Sequence, residues 1–350
     1  MTGMKIGLLV PEVGPAGLWA PSAWTCATMA AREINELGGM LGRHVELVSI
    51  DAGPTGASAA WAARNAVDID GVEAIIGMFP SYARQPVLHS IGDSVPFIYT
   101  PQFEGLSEHP NLITTGETSS ELLRPTIEWL MQNRKVSRFF LCGSDYNWPR
   151  SSFAIAKRII HDAGGTVTGE IYRPFEHDDY DDLFQAIRET RSDVVLPHFL
   201  GLDAVKFNRA FAQQAGLSAR TLRLASAVDE TVIYGLDDGA TENMYIASAY
   251  FSSVRSRNNG AFLERYHGIF GDNPPPANAY GQSCYEGLHC LAGLVAVAGT
   301  TEPRQVRAAL GRSRQSKSAR GLDSAPVTGG RHPIHIAQVD GFDIRLVGTM

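Results

Sequence analysis

The chain has 350 residues, of which 44% are hydrophobic and 19% charged. Its length predicts about two domains at roughly 150 residues each, and its composition excludes a disordered chain, which would combine low hydrophobicity with high net charge. The 30 basic and 37 acidic side chains give a net charge of −7, whereas general nucleic-acid binding needs clustered Lys and Arg. No direct nucleic-acid partner is therefore expected.

The first third of the chain alternates short apolar runs with helix-length segments. The runs predict strands at 4–10, 45–51, 73–77 and 96–99. Their apolar residues are continuous rather than alternating, which is typical of strands covered on both faces of a parallel sheet. After the first run, Ala27, Ala30 and Ile34 recur at helical spacing, and the pair Gly38-Gly39 is expected to end that helix.

The same alternation continues after Ser119. Further strands are predicted at 138–142, 167–172, 193–197, 222–226 and 247–251. Helices are predicted at 122–133, 151–163, 180–191, 204–215, 260–270 and 280–298. Strands separated by helices indicate right-handed βαβ crossovers. A strand-like pair at 333–339 and 342–347 is expected to complete the two sheets.

These elements predict an α/β protein of two doubly wound parallel-sheet lobes. No low-complexity linker separates them, so the backbone is expected to cross between the lobes several times. The predicted lobes are residues 1–119 with about 249–326, and residues 120–248 with about 327–350. The basic cluster Arg312–Arg320 is interpreted as a solvated loop, the alternative being a contact for an acidic partner surface.

The chain lacks the common motifs of catalysis, nucleotide binding and metal binding. Pro11–Gly17 follows the first strand without a G-x-G-x-x-G pattern, and no P-loop occurs. The near matches to a nucleophile elbow, at 92–96 and 281–285, lack its second glycine. His332 and His335 are the closest histidine pair, and i and i+3 point to opposite faces of a strand. We therefore expect no enzyme, no metal and no cofactor.

The cysteines and the lengths of the apolar segments indicate the cellular compartment of the protein. The four cysteines are too few and too scattered for a disulfide framework, and buried, reduced thiols are expected at Cys26, Cys142, Cys284 and Cys290. The first apolar run stops at Pro11, short of a secretory h-region. The apolar segment between Glu286 and Glu302 falls short of the roughly 20 residues of a membrane span. A cytoplasmic protein is expected, the alternative being a periplasmic or cell-surface protein whose signal peptide was trimmed.

The informative residues lie at the predicted carboxyl ends of strands, where open α/β sheets bind ligands. Three loops there combine aromatic side chains with hydroxyl or amide groups and carry little charge. The candidate ligand-binding residues on them are Phe79, Ser81, Tyr99, Thr100, Gln102, Tyr146 and Trp148. This mixture suits a small, uncharged, planar polar molecule. Ser81 lies where a helix is expected to begin, which suits a carbonyl oxygen. The alternative is that the aromatic rings only pack this edge.

At these residues the chain resembles the type I periplasmic-binding-protein superfamily, and within it the branch of urea- and short-chain-amide-binding proteins. That branch holds exported receptors of ABC transporters and a cytoplasmic amide sensor that controls an amidase operon. The most specific matching segment is Gly143–Arg150 (GSDYNWPR). The other matching segments are 31–43, 99–105, 249–253 and 332–336.

The resemblance implies a site contributed by both lobes. By position, Ser81, Tyr99 and Tyr146 match ligand contacts of the branch, and Gln102 agrees with its urea-binding members. Phe79 and Trp148 fall where the family also places aromatic side chains. Two more site residues are carried over at Val228, where amide sensors have a threonine, and at Glu230, which is retained.

The implied function is non-catalytic binding of a small amide, urea or related ligand in the cleft between the lobes. Lobe closure would signal to a regulatory partner protein, as in an amide-responsive regulator, with a homo-oligomer as a further option. The first alternative is an exported ABC-transporter receptor for urea, amides or amino acids. An amidase is the second alternative, and no nucleophile and base support it.

Overall fold

The computed structural model describes residues 3–105, 109, 111–237, 239–313, 318–321 and 332–350. The strands are β1 Met4–Val10, β2 Val45–Asp51, β3 Ala74–Gly77, β4 Phe97–Tyr99, β5 Leu112–Thr114, β6 Arg138–Ser144, β7 Thr166–Arg173, β8 Val194–His198, β9 Leu222–Ala225, β10 Met244–Ser248, β11 His335–Asp340 and β12 Asp343–Thr349. The helices are α1 Ala20–Glu36, α2 Gly56–Asn65, α3 Arg84–Ile91, α4 Ser119–Arg134, α5 Asn147–Asp162, α6 Asp181–Glu189, α7 Gly201–Ala212, α8 Ala215–Ser218, α9 Glu230–Tyr234, α10 Arg257–Phe270, α11 Ala279–Ala298 and α12 Pro303–Ala308.

The chain divides into two compact units. Unit 1 comprises Met1–Gly116 and Arg255–Arg331, and unit 2 comprises Glu117–Val254 and His332–Met350. The lobe boundary predicted at about 326–327, and residues 314–317 of the basic cluster, lie outside the described residues.

Unit 1 is built on a five-stranded parallel sheet in the order β2-β1-β3-β4-β5. One face packs against α2 and α3, and Ile75 and Phe97 belong to the buried cluster on that side. The other face carries α1 and α11. Gly287 of α11 lies against β4, because a Cβ there would come within 2.5 Å of Thr100 Cγ2. Helices on both faces leave the strand ends as the accessible edges of this sheet.

Unit 2 is built on a seven-stranded sheet in the order β12-β11-β10-β9-β8-β6-β7. Strands β6 to β10 run parallel to one another, whereas β11 is antiparallel to both of its neighbours, β10 and β12. The expectation that the two C-terminal strands complete both sheets is wrong, because β11 and β12 both join this sheet. Only two residues separate Asp340 from Asp343, and such a short connection makes a hairpin rather than a passage to another sheet.

The α/β class with parallel-sheet lobes is confirmed, and several local expectations are corrected. Helix α5 begins at Asn147, so Trp148 lies in its first turn rather than in a loop. Pro149 is tolerated there because the first-turn N–H groups have no partner within the helix. The strand expected at 247–251 lies earlier, at Met244–Ser248. His332 precedes β11 instead of lying within it, and its Nδ1 is 3.2 Å from Glu121 Oε1.

Other expectations concern cysteines, metals and membranes. All four cysteines lie within the described residues and are buried and free, which confirms the expected thiols. Within the part of the chain that the structure describes, no group of three or more His, Cys, Asp or Glu side chains is placed to hold a metal ion. In the same part, no helix combines the length and the apolar character needed to cross a membrane.

Candidate functional site

The candidate residues of unit 1 lie at the carboxyl ends of β3 and β4. Tyr99 is the last residue of β4, and its hydroxyl donates a 2.7 Å hydrogen bond to the Phe79 carbonyl oxygen. The two rings meet edge to face at 5.4 Å between centroids. Both side chains are buried in the core of unit 1, and burial raises the pKa of Tyr99. The bond therefore ties the end of β4 to the segment that follows β3.

Ser81 is the first residue of a 3-10 turn, Ser81–Ala83, that leads into α3. Its side chain is buried, and within the part of the chain that the structure describes the hydroxyl oxygen has no hydrogen-bond partner. Leaving a buried polar group unpaired costs about 1–3 kcal/mol. A ligand atom that hydrogen-bonds to this hydroxyl would recover that cost.

Thr100 and Gln102 follow β4 and are tied to α11. The Thr100 hydroxyl accepts a 3.1 Å hydrogen bond from Ser283 Oγ. Gln102 Nε2 donates to the Tyr280 hydroxyl at 3.1 Å. Tyr280 in turn packs on Trp19, with ring centroids 3.9 Å apart. The structure thus adds Tyr280 and Trp19 to the candidate residues that the sequence identified.

Trp19 lies between β1 and α1 and is buried, and no described residue accepts a hydrogen bond from its indole nitrogen. Sequence reasoning tested the segment after β1 only as a phosphate loop and so passed over it. The available signal was position, because Trp19 follows a predicted strand in the same way as Phe79 and Gln102.

In unit 2 the candidate aromatic residues lie where β6 gives way to α5. Tyr146 precedes the first helical residue, and its ring centroid is 6.2 Å from that of Trp148 and 5.1 Å from that of Phe175. Trp148 stacks on His198 at 4.7 Å with an interplanar angle of 27°. The indole nitrogen of Trp148 is buried without a partner. These rings form a continuous aromatic array at the edge of the sheet.

His198 is the last residue of β8 and was not predicted as a site residue. It is 1% exposed, and burial lowers its pKa to about 3. Its Nε2 lies 3.5 Å from Ser226 Oγ, and its Nδ1 has no partner. Ser144, the last residue of β6, likewise has a buried hydroxyl without a partner. The sheet edge of unit 2 therefore holds a neutral imidazole and a free hydroxyl.

Glu230 supplies the carboxyl group of the candidate site. It is the first residue of α9 and is 5% exposed. Its Oε1 accepts hydrogen bonds from the backbone N–H and the hydroxyl of Ser252, at 2.6 and 2.7 Å. Its Oε2 is buried without a partner. Burial raises the pKa of this carboxyl group.

The two residues that precede Glu230, Val228 and Asp229, have different roles from it. Asp229 caps α9, since its Oδ1 accepts hydrogen bonds at 3.1 Å from the backbone N–H groups of Thr231 and Val232. Val228 is buried two residues before Glu230, and its role as a ligand contact stays a prediction. Asp229 is thus engaged at the helix terminus, whereas Glu230 keeps Oε2 without a hydrogen-bond partner among the described residues.

The structure thus places five predicted residues at the sheet edge of unit 1 and four at the sheet edge of unit 2. All nine are described, and they include one carboxyl group and no basic group. The unpartnered polar atoms among them belong to Ser81, Trp148 and Glu230. Their assignment as ligand contacts stays a prediction.

A doubly wound α/β chain with unpartnered polar atoms at the carboxyl ends of its strands has the character of a ligand-binding protein. Residues 3–343 match the family described as periplasmic binding protein, and the chain belongs to that family. This confirms the coarser part of the resemblance drawn from the sequence. The urea- and amide-binding branch stays a prediction.

Relatives are found among curated proteins and solved structures. The Leu/Ile/Val-binding protein BraC3 of Rhizobium johnstonii is 25% identical over 318 residues, which cover 85% of this chain and 80% of BraC3. The structure of the leucine-binding protein LivK of Thermotoga maritima has a TM-score of 0.87 at 17% identity, covering 99% of this chain and 98% of LivK.

Two further solved structures were determined with a bound ligand. A solute-binding protein of an ABC transporter from Rhodopseudomonas palustris, in complex with p-hydroxybenzoic acid, has a TM-score of 0.87 at 18% identity, covering 99% of this chain and 97% of that one. The branched-chain amino acid transporter substrate-binding protein LivJ of Streptococcus pneumoniae, in complex with isoleucine, has a TM-score of 0.81 at 17% identity and covers 99% of each chain. At these identities the likeness shows the fold.

Proposed function

We propose that this protein is a non-catalytic substrate-binding protein that delivers a small ligand to an ABC transporter. The ligand carries N–H groups from which Glu230 can accept a hydrogen bond, as an amino acid, a short amide or urea does. The observation that carries the proposal is the second carboxyl oxygen of Glu230, which is buried and has no hydrogen-bond partner among the described residues.

The relatives support the transport role. BraC3 is described as a Leu/Ile/Val-binding protein, and LivJ was solved with isoleucine. They favour the exported receptor over the amide-responsive regulator. In this proposal the protein works outside the cytoplasm and meets a membrane transporter as its partner.

Charge decides between ligand classes. p-Hydroxybenzoate carries a net negative charge and no N–H group. It would find no basic group among the nine candidate residues, and an ionised Glu230 would repel it. An ammonium group would instead stabilise the ionised form of Glu230. A neutral amide would donate its N–H to either form of that carboxyl group. The side chains therefore favour zwitterionic or neutral ligands with N–H groups.

Affinity separates amides from amino acids. At a ceiling of roughly −1.5 kcal/mol per heavy atom, an amide of about four or five heavy atoms reaches about −6 to −7.5 kcal/mol. That free energy corresponds to a Kd of about 3–40 μM. Leucine has about nine heavy atoms, so the same ceiling allows tighter binding. A sub-micromolar Kd would therefore exceed this ceiling for acetamide and urea but not for leucine.

Isothermal titration calorimetry tests the proposal with leucine, isoleucine, acetamide, butyramide, urea and p-hydroxybenzoate. We expect heat from at least one ligand that carries N–H groups and none from p-hydroxybenzoate. If none of the N–H ligands binds, the proposed ligand class is wrong. If p-hydroxybenzoate alone binds, the argument from Glu230 is wrong as well.

Protonation of Glu230 gives a second readout. Burial raises its pKa, so an ammonium ligand, which favours the ionised carboxylate, should release protons on binding near the pKa of that group. Binding of a neutral amide should release fewer protons. Titrations in two buffers of different ionisation enthalpy measure the number released. Glu230→Gln should abolish the release, whereas Glu242→Gln, at an exposed position outside the candidate set, should preserve it.

A further inference from the structure

A buried ion pair joins the two candidate loops of unit 1. Arg84 lies three residues after Ser81, and Glu104 lies two residues after Gln102. The pair is bidentate, with Arg84 Nη2 donating to Glu104 Oε1 at 2.8 Å and Nη1 donating to Oε2 at 3.2 Å. The side chains are only 3% and 6% exposed. Two parallel hydrogen bonds fix orientation as well as distance.

Aromatic rings and a backbone contact complete the connection. The Arg84 guanidinium carbon lies 5.1 Å from the ring centroid of Tyr99 and 5.7 Å from that of Phe103, within the range of cation–π attraction. Tyr99 itself is hydrogen-bonded to the Phe79 carbonyl oxygen. The segment after β3 and the segment after β4 are thus held together at three points: the ion pair, the ring contacts and this hydrogen bond.

Stability alone is a poor reason for this arrangement. Replacing a buried ion pair by apolar side chains of similar volume is often neutral or stabilising, because desolvation of the charges offsets their attraction. What a bidentate buried pair supplies is a single geometry. Here that geometry is imposed on the segments that carry Ser81 and Gln102. Holding a binding loop in its bound conformation lowers the ordering cost of association.

We propose that Arg84 and Glu104 are positioning residues, which hold the segments after β3 and β4 of unit 1 in the arrangement that binds ligand. The proposal rests on the proposed function for its effect on affinity. Its effect on the free protein requires no ligand.

Hydrogen–deuterium exchange of the free protein tests the positioning directly. Ala83 N–H is bonded to the Pro80 carbonyl oxygen and Thr100 N–H to the Gly77 carbonyl oxygen, each at 3.0 Å, so both segments contain protected amides. Arg84→Lys keeps the positive charge but loses the bidentate geometry. We expect exchange to accelerate about tenfold in both segments together.

The matched control is Glu33→Gln. Glu33 is also a buried acid of unit 1 and accepts a 2.7 Å hydrogen bond from Arg265 Nε. It lies in the last turn of α1 and outside both segments. This variant is expected to leave exchange in the two segments unchanged. Acceleration in only one segment, or equal acceleration throughout unit 1, would overturn the positioning role.

A double variant separates positioning from charge burial. Arg84→Met with Glu104→Gln removes both charges and leaves neither buried alone. If the pair positions the loops, the double variant keeps the accelerated exchange and binds ligand about tenfold more weakly. Exchange rates, ligand affinity and the thermal unfolding midpoint are measured on the same samples. If wild-type exchange and affinity return in the double variant, the pair has no positioning role.

The two hypotheses fail in different ways. When calorimetry finds no ligand for the wild-type protein, the proposed function is wrong, and the exchange experiment still decides whether the pair orders the loops. When a ligand is found and Arg84→Lys binds it as tightly as wild type, the positioning proposal is wrong and the proposed function stands.

Discussion

The buried imidazole of His198 predicts that the folded protein loses stability in mild acid. In the unfolded chain this side chain takes up a proton near its ordinary pKa of 6.5, whereas burial lowers the folded pKa to about 3. Between these values the unfolded state binds more protons, so stability falls as the pH falls. From about pH 7.5 to about pH 5, this difference amounts to about 2 kcal/mol of unfolding free energy.

His198→Phe removes the titrating group and keeps an aromatic ring against Trp148 and Phe153, which lie 4.7 and 4.8 Å from the imidazole centroid. The assay is urea unfolding of wild type and variant at about pH 7.5 and about pH 5. Each protein is compared with itself, so a constant repacking cost cancels. The variant is expected to lose about 2 kcal/mol less than wild type between the two pH values.

A matched control replaces His161, whose side chain is 90% exposed. His161→Phe is expected to keep the wild-type pH dependence because it leaves the buried imidazole in place. Other groups that titrate in this range, in both proteins, cancel in the comparison. Equal acid-induced losses in wild type and His198→Phe would refute the reasoning, since the imidazole would then be protonated in the folded protein as easily as in the unfolded chain.

Three further substitutions test the site and its framework. Ser81→Ala should weaken ligand binding by about 1–3 kcal/mol, or roughly 5- to 150-fold in Kd, in a calorimetric titration. The control is Ser90→Ala on α3, which should leave Kd unchanged because the Ser90 hydroxyl is bonded to a backbone carbonyl within the helix. Tyr99→Phe removes the hydrogen bond to the Phe79 carbonyl oxygen and should lower the free energy of unfolding by about 1–2 kcal/mol in urea. Thr118→Ala removes the capping box of α4, in which Thr118 and Glu121 bond to each other's backbone N–H groups, and should lower the free energy of unfolding by about 1 kcal/mol.

The strands were the most predictable part of the fold. Both Met4–Val10 and Val45–Asp51 have the bounds that the sequence predicts. The first is covered on both faces and is apolar along most of its length, whereas Val45–Asp51 is an edge strand with exposed Glu46 and Asp51. The elements that the prediction omitted lack such a signal. Helix α2 (GASAAWAARN) is rich in alanine and shows little contrast between its faces, and β5 is only three residues long.

Strand order explains what the sequence could not show about the site. β8 pairs with β6, although β7 separates them in sequence. This pairing brings His198, at the end of β8, beside the start of α5, where Trp148 lies. A single histidine closing an apolar strand has no periodicity to mark it. The aromatic loops were found because each carries several polar and aromatic residues in one short stretch, whereas His198 gains its role only from a neighbour 50 residues away.

Ligand identity depends on side chains that the backbone does not specify. The relatives solved with p-hydroxybenzoic acid and with isoleucine share this fold at TM-scores of 0.87 and 0.81, so the strand ends alone do not choose between an aromatic acid and an amino acid. Under the proposed function, the choice in this chain depends on one carboxyl group. Glu230 gives one oxygen to Ser252 and keeps the other buried and unpartnered, which penalises any ligand that has no hydrogen to donate. The proton that Glu230 holds or releases on binding then separates the two remaining classes, neutral amides and ammonium-bearing amino acids.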